Sequence, residues 1–209
     1  MQQLLLLFAA TFSAAFVASL PPGLLNMNAA KTSVEKGKKN GVTFGLGVGF
    51  TVMIQAYLAV RISKLLSQNP EIIAILMQIA LVIFGVLAIF FFVKGKKQTA
   101  TDAIEFTEGK KRGSFSKGAF LAALNLLTIP YYAGINTFFH GQGFMNYTVI
   151  DEVIFIISAG LGTFLGMYVY VFYFDKMEQR TNRFSKNANY ILSGLMVLLF
   201  VITLFRLYF

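Results

Sequence analysis

The chain has 209 residues, of which 56% are hydrophobic and only 13% charged, and its mean hydropathy is +0.67. Soluble domains carry roughly 25% charged residues, so this is not the composition of a water-soluble fold. The absence of Cys excludes a disulfide scaffold, a thiolate metal site, a thiol redox centre and a Cys nucleophile, and a single His leaves little for a His-ligated metal.

Charge is missing altogether from residues 1–30, 72–93, 119–139 and 153–174, each long enough to cross a bilayer, which takes about 20 apolar residues. The pattern predicts an all-α integral membrane protein with six transmembrane helices at 4–28, 42–60 (extending to 66), 72–93, 119–139, 153–174 and 188–205. Residues 1–20 lack the positive start of a secretory signal, and the first basic cluster follows the apolar run, so the first span reads as retained.

The net charge of +9 sits in alternate loops. Lys31, Lys36, Lys38 and Lys39 lie after the first span. Lys94, Lys96, Lys97, Lys110, Lys111, Arg112 and Lys117 lie after the third, and Lys176, Arg180, Arg183 and Lys186 after the fifth. The loop 140–152 holds Asp151 and Glu152 and no Lys or Arg. By the positive-inside bias the basic loops are cytoplasmic and both termini lie outside the cytoplasm. The bases are therefore topology signals, and no nucleic-acid partner is expected. Arg61 and Lys64, near the outer end of the second span, run against the bias and are read as snorkelling to the interface.

Residues 1–93 and 119–209 resemble one another, with 94–118 as a cytoplasmic linker within a single transmembrane domain, 1–209. The first span of each half is interrupted, by Pro21, Pro22 and Gly23 in one and by Asn125, Thr128 and Pro130 in the other. The second span of each carries a glycine ridge, Gly41, Gly45, Gly47 and Gly49 against Gly160, Gly162 and Gly166, with Ser158 in register with the second, and the default meaning of both is helix packing. Three spans per half turn the second copy upside down, an inverted 3+3 repeat with broken helices in matching positions, which points to a secondary transporter.

Proline removes an amide hydrogen and frees carbonyls that cannot face lipid. Asn26, Asn28, Asn125 and Thr128 either patch these breaks or, with Pro22, Gly23, Pro130 and Tyr131, form a binding site for a small zwitterion. Asp151 and Glu152 are the best-placed proton-coupling candidates, with interfacial solvation as their default reading. The aromatic run Tyr168, Tyr170, Phe172, Tyr173 and Phe174 reads as an interfacial belt.

The Pro22-Gly23 pair with Asn26, the basic loop after Gly37, the ridge Gly41, Gly45, Gly49, and the segment from Gly118 to Asn125 resemble the LysE/RhtB type of amino-acid exporter. Two departures stand out: the first motif reads Pro-Pro-Gly-Leu-Leu-Asn, and Leu126-Leu127 follow Asn125 where the family has Pro-Lys. The resemblance implies export of amino acids or related metabolites across a bacterial cytoplasmic membrane, driven by the proton gradient. On this reading the partners are an amino acid-like substrate and the lipid bilayer, a homo-oligomer is compatible, and no cofactor, metal or enzymatic activity is expected. The alternative is a non-transport accessory or assembly subunit, which would not need two interrupted helices.

Overall fold

The computed structural model describes residues 2–21, 23–97 and 113–208, leaving aside the side chains of 94–97, 174–189 and some others. Pro22, Asp102, Glu105, Glu108, Lys110, Lys111 and Arg112 therefore lie outside the described residues, as do the side chains of Asp175, Lys176, Glu178, Arg180, Arg183 and Lys186. The described elements are helical: α1 (Gln2–Ser19), α2 (Leu24–Lys36), α3 (Lys38–Gln68), α4 (Pro70–Lys97), α5 (Ser114–Ala123), α6 (Thr128–Gly141) and α7 (Val149–Tyr208).

Helices α1, α3 and the Val149–Tyr173 part of α7 are each long and apolar enough to cross a membrane, and α5 with α6 forms a bent pair that passes together. The described residues thus hold three such helices, or four with the pair counted, against six expected; α4 and the end of α7 contribute the shorter apolar stretches Leu81–Phe90 and Met196–Phe205. Helix α3 shows how the solvent is written into the residues. Leu46, Phe50, Ile54, Leu58 and Ile62 form an exposed apolar stripe, while Phe44, Val48, Val52, Ala56 and Ala59 are buried. An exposed apolar stripe of that length suits lipid and not water.

The chain divides into two compact units, Met1–Ser67 with Gly109–Met177, and Gln68–Glu108 with Glu178–Phe209. Each unit draws on both halves of the sequence. Within the second, α4 and the end of α7 run antiparallel: Gly85 packs on Phe200, the Ser193 hydroxyl donates to the Ala88 carbonyl at 2.9 Å, and Phe92 meets Tyr190 edge to face. The loop expected between the fifth and sixth spans is instead helical, because α7 continues from Val149 to Tyr208. Residues 175–187 contain neither Gly nor Pro, and charge alone does not end a helix.

The first break falls at residues 20–23, so the expected span 4–28 is divided into α1 and α2. Helix α2 ends at Gly37, whose φ of +87° is a conformation that side-chain-bearing residues rarely adopt. Chain and helix resume at once in α3. Gly47 and Gly118 bring α3 and α5 together: a Cβ on Gly118 would collide with the Phe44 carbonyl, and one on Gly47 with the Phe115 carbonyl.

Candidate functional site

At the first break, three successive carbonyls lose their helical partners. Buried Asn26 donates from Nδ2 to the Ser19 carbonyl at 2.7 Å and to the Pro21 carbonyl at 2.8 Å, and the Tyr170 hydroxyl of α7 donates to the Leu20 carbonyl at 2.6 Å. Both amide hydrogens of Asn26 are thus committed to the backbone. Tyr170 is fully buried and so leaves the aromatic belt expected of its run, while Tyr168, Phe172 and Tyr173 stay exposed. Gly23 is exposed and extended at the start of α2, where no side chain caps the helix. Asn28 is half-buried and donates to the Leu24 carbonyl of its own helix at 2.9 Å. Pro22 lies outside the described residues.

The second break falls between Ala123 and Thr128, where α5 and α6 meet at a bend of 68°. Pro130 does not cause it. As the third residue of α6, it occupies the first turn, where its missing amide hydrogen would have had no helical partner anyway. The carbonyls of this turn, two of which also accept from the Asn125 and Thr128 amides at 3.0 and 3.3 Å, are held by a residue the sequence did not single out. Gln55 of α3, 5% exposed, donates from Nε2 to the Ala122 carbonyl at 3.0 Å and the Asn125 carbonyl at 3.3 Å, and Thr51 one turn earlier donates to the Ala119 carbonyl at 3.3 Å. An isolated amide in an apolar span, one turn from Thr51, was the available signal. The Asn125 side chain and Pro130 are exposed, and Thr128 is half-buried as the first residue of α6. Tyr131 reaches from α6 to the Ala14 carbonyl of α1 at 2.9 Å, and its ring meets that of Tyr132 at 5.1 Å. Tyr132 is buried, within 3.2 Å of the Thr163 hydroxyl of α7.

The contacts of α3 and α7 mirror one another. Tyr170 of α7 holds the first break and Gln55 of α3 holds the second. Gly47 seats α3 against α5, and Gly162 and Gly166 seat α7 against Phe12, Ala15 and Ser19 of α1. The two glycine ridges meet at Gly49 and Gly160 and otherwise face different partners. Gly41, Gly45 and Gly49 meet Val171, Met167 and Phe164 in antiparallel order, with Gly49 also against the Gly160 carbonyl, while Gly162 and Gly166 point to α1. Small residues allow such backbone approach between apolar helices.

Asp151 and Glu152 are buried, at 4% and 6% exposure, and so are not solvated interfacial acids. Asp151 belongs to a reciprocal cap: its Oδ2 accepts from the Asn146 and Thr148 amides at 3.0 and 3.4 Å, while the Thr148 hydroxyl accepts from the Asp151 amide at 3.2 Å. Tyr147, between the two amides, has a φ of +56°, and burial pushes its phenol above its ordinary pKa. Glu152 is held instead by Arg61 and, at 3.6 Å, by Lys64. These bases do not simply snorkel: they neutralise a buried carboxylate. His140 lies with Nδ1 2.8 Å from the Met145 carbonyl and its ring 4.5 Å from that of Tyr147.

The family model for the LysE type translocator matches residues 16–207. Comparisons with curated proteins and with solved structures gave no significant match.

Proposed function

The chain belongs to the LysE type translocator family and is therefore a multi-pass membrane transporter, and on that premise we propose that it exports amino acids or related small zwitterions across a bacterial cytoplasmic membrane, driven by the proton gradient. The observation that carries this reading is the pair of helix breaks, each held by a side chain from the opposite half of the sequence. Tyr170 of the second half closes on Leu20, and Gln55 of the first half closes on Ala122 and Asn125. Such an exchange is what two inverted repeats, 1–93 and 119–209, would produce, and broken helices at a repeat interface are where transporters bind substrate. Basic loops in the cytoplasm and both termini outside complete the orientation.

Among the predicted site residues, Gly23, Asn28, Asn125, Thr128 and Tyr131 stand beside the breaks with exposed or half-buried side chains or backbone, and are proposed to contact substrate. Asn26 is proposed to shape the first break. Of the two coupling candidates, Asp151 has a cap to maintain, whereas Glu152 forms ion pairs with Arg61 and Lys64. Glu152 is therefore the proposed coupling residue. The test is a comparison of intracellular and extracellular metabolites in cells with and without the protein: an exporter moves one class of amine-bearing metabolite outward, and no such shift contradicts the reading.

A further inference from the structure

Gln55 does more than close the second break. Its Nε2 faces the Ala122 and Asn125 carbonyls, and this fixes which way the amide is turned, because the reversed amide would set its oxygen against two carbonyl oxygens. Oε1 is thereby held buried and without a hydrogen-bond partner. The other buried side-chain oxygens without partners among the described residues are on Thr11, Asn136 and Tyr147. The Thr11 hydroxyl can rotate to a carbonyl of its own helix, and Asn136 donates to the Met145 sulfur, a weak acceptor that does not fix its amide. Tyr147 sits in the loop before α7. Gln55 alone of these joins a fixed amide to a helix break.

A buried acceptor left unpaired is costly and is kept where something donates to it. The surroundings select the donor. Helix α5 ends at this break and α6 begins at it, so helix ends of both signs meet here, and the oxygens nearest the amide are the Ala122 and Asn125 carbonyls. Helices α3, α5 and α6 contain no Asp or Glu, so the acceptors these helices can offer a donor at the break are neutral oxygens. We propose that Gln55 Oε1 accepts a hydrogen bond from the protonated amine of the transported molecule, making Gln55 the residue that selects amine-bearing substrates over their deaminated counterparts. This deepens the exporter reading above and rests on it.

The experiment uses the purified full-length protein in proteoliposomes and follows counterflow of a uniformly ¹⁴C-labelled mixture of the protein amino acids. Wild-type counterflow should be suppressed by the unlabelled mixture and not by propanoate, 4-methylpentanoate and 3-phenylpropanoate together. Equal suppression by these amine-lacking acids overturns the inference without any variant. Gln55→Lys keeps a donor for the Ala122 and Asn125 carbonyls and removes the acceptor, so counterflow should fall at least tenfold at unchanged protein yield. Gln55→Met removes both. If Gln55→Lys transports normally and Gln55→Met does not, Gln55 merely closes the break and the inference fails while the exporter reading stands. Absence of wild-type counterflow overturns the reading and the inference with it.

Discussion

Arg61 near the end of α3 and Glu152 in the first turn of α7 form an ion pair in which the carboxylate is buried and the guanidinium is nearly half exposed, with Lys64 on the other carboxylate oxygen. The pair explains why Arg61 and Lys64 stand where the charge bias of the loops does not expect them. Exposure of the guanidinium and the presence of Lys64 discount its worth, so Arg61→Ala should cost about 1 kcal/mol in thermal unfolding. Glu152→Arg should lower folded yield sharply by burying an unpaired charge, and Arg61→Glu with Glu152→Arg should recover much of it. Yield of the double variant no better than Glu152→Arg alone would mean that the two residues do not pair in the membrane.

Asp151 and its neighbour should separate by function. Asp151→Ala removes a cap worth about 0.5–2 kcal/mol, lowering thermal stability while leaving gradient-driven transport in the surviving protein. Glu152→Gln should leave counterflow in place and abolish its response to an imposed pH gradient. Retained pH-driven accumulation in Glu152→Gln would move coupling elsewhere.

The two asparagines of the breaks should also part. Asn26→Ala leaves the Ser19 and Pro21 carbonyls without their side-chain donor, at about 0.5–1.5 kcal/mol for each hydrogen bond lost, and should reduce folded yield. Asn125→Ala changes an exposed side chain and should keep yield while reducing affinity roughly tenfold, about 1.4 kcal/mol. Gln78, exposed on α4, is the control. Full activity in Asn125→Ala would remove it from the site.

Glycine substitutions test the packing. Gly118→Ala sets a Cβ against the Phe44 backbone, whereas Gly134 has nothing within 4 Å of the same atom. Backbone cannot yield as a side-chain tip can, so Gly118→Ala should destabilise by about 1–3 kcal/mol and Gly134→Ala should not. Equal melting temperatures of the two variants would contradict the α3–α5 approach.

Much of this was legible in the residues, for reasons that differ from place to place. The first break could be read because Pro21 and Pro22 each remove a donor. The second was read at Asn125, Thr128 and Pro130, yet a proline in the first turn of a helix interrupts nothing, and the chain turns at Asn125 to Leu127, where no residue type forbids helix. The glycine ridges announced close contact but not its partners: Gly49 faces α7 while Gly162 faces α1, a choice made by tertiary packing. Gln55 was missed because an amide in an apolar span does not disclose what it faces. The charges at residues 175–187 suggested a loop, although charge lacks the power of Gly or Pro to end α7.

Orientation is open to labelling because the chain has no Cys. Single cysteines at Lys38, before the glycine ridge of α3, and at Asn146, before α7, should react with a membrane-impermeant maleimide from opposite sides, Lys38 inside and Asn146 outside. Reaction from one side would overturn the inverted arrangement.

The most direct test of the account is accumulation of the ¹⁴C-labelled amino-acid mixture by inside-out membrane vesicles energised with a proton gradient. The account predicts uptake above that of vesicles lacking the protein, abolished by a protonophore and reduced at least tenfold by Gln55→Lys at equal protein content. Uptake indistinguishable from vesicles without the protein would contradict it.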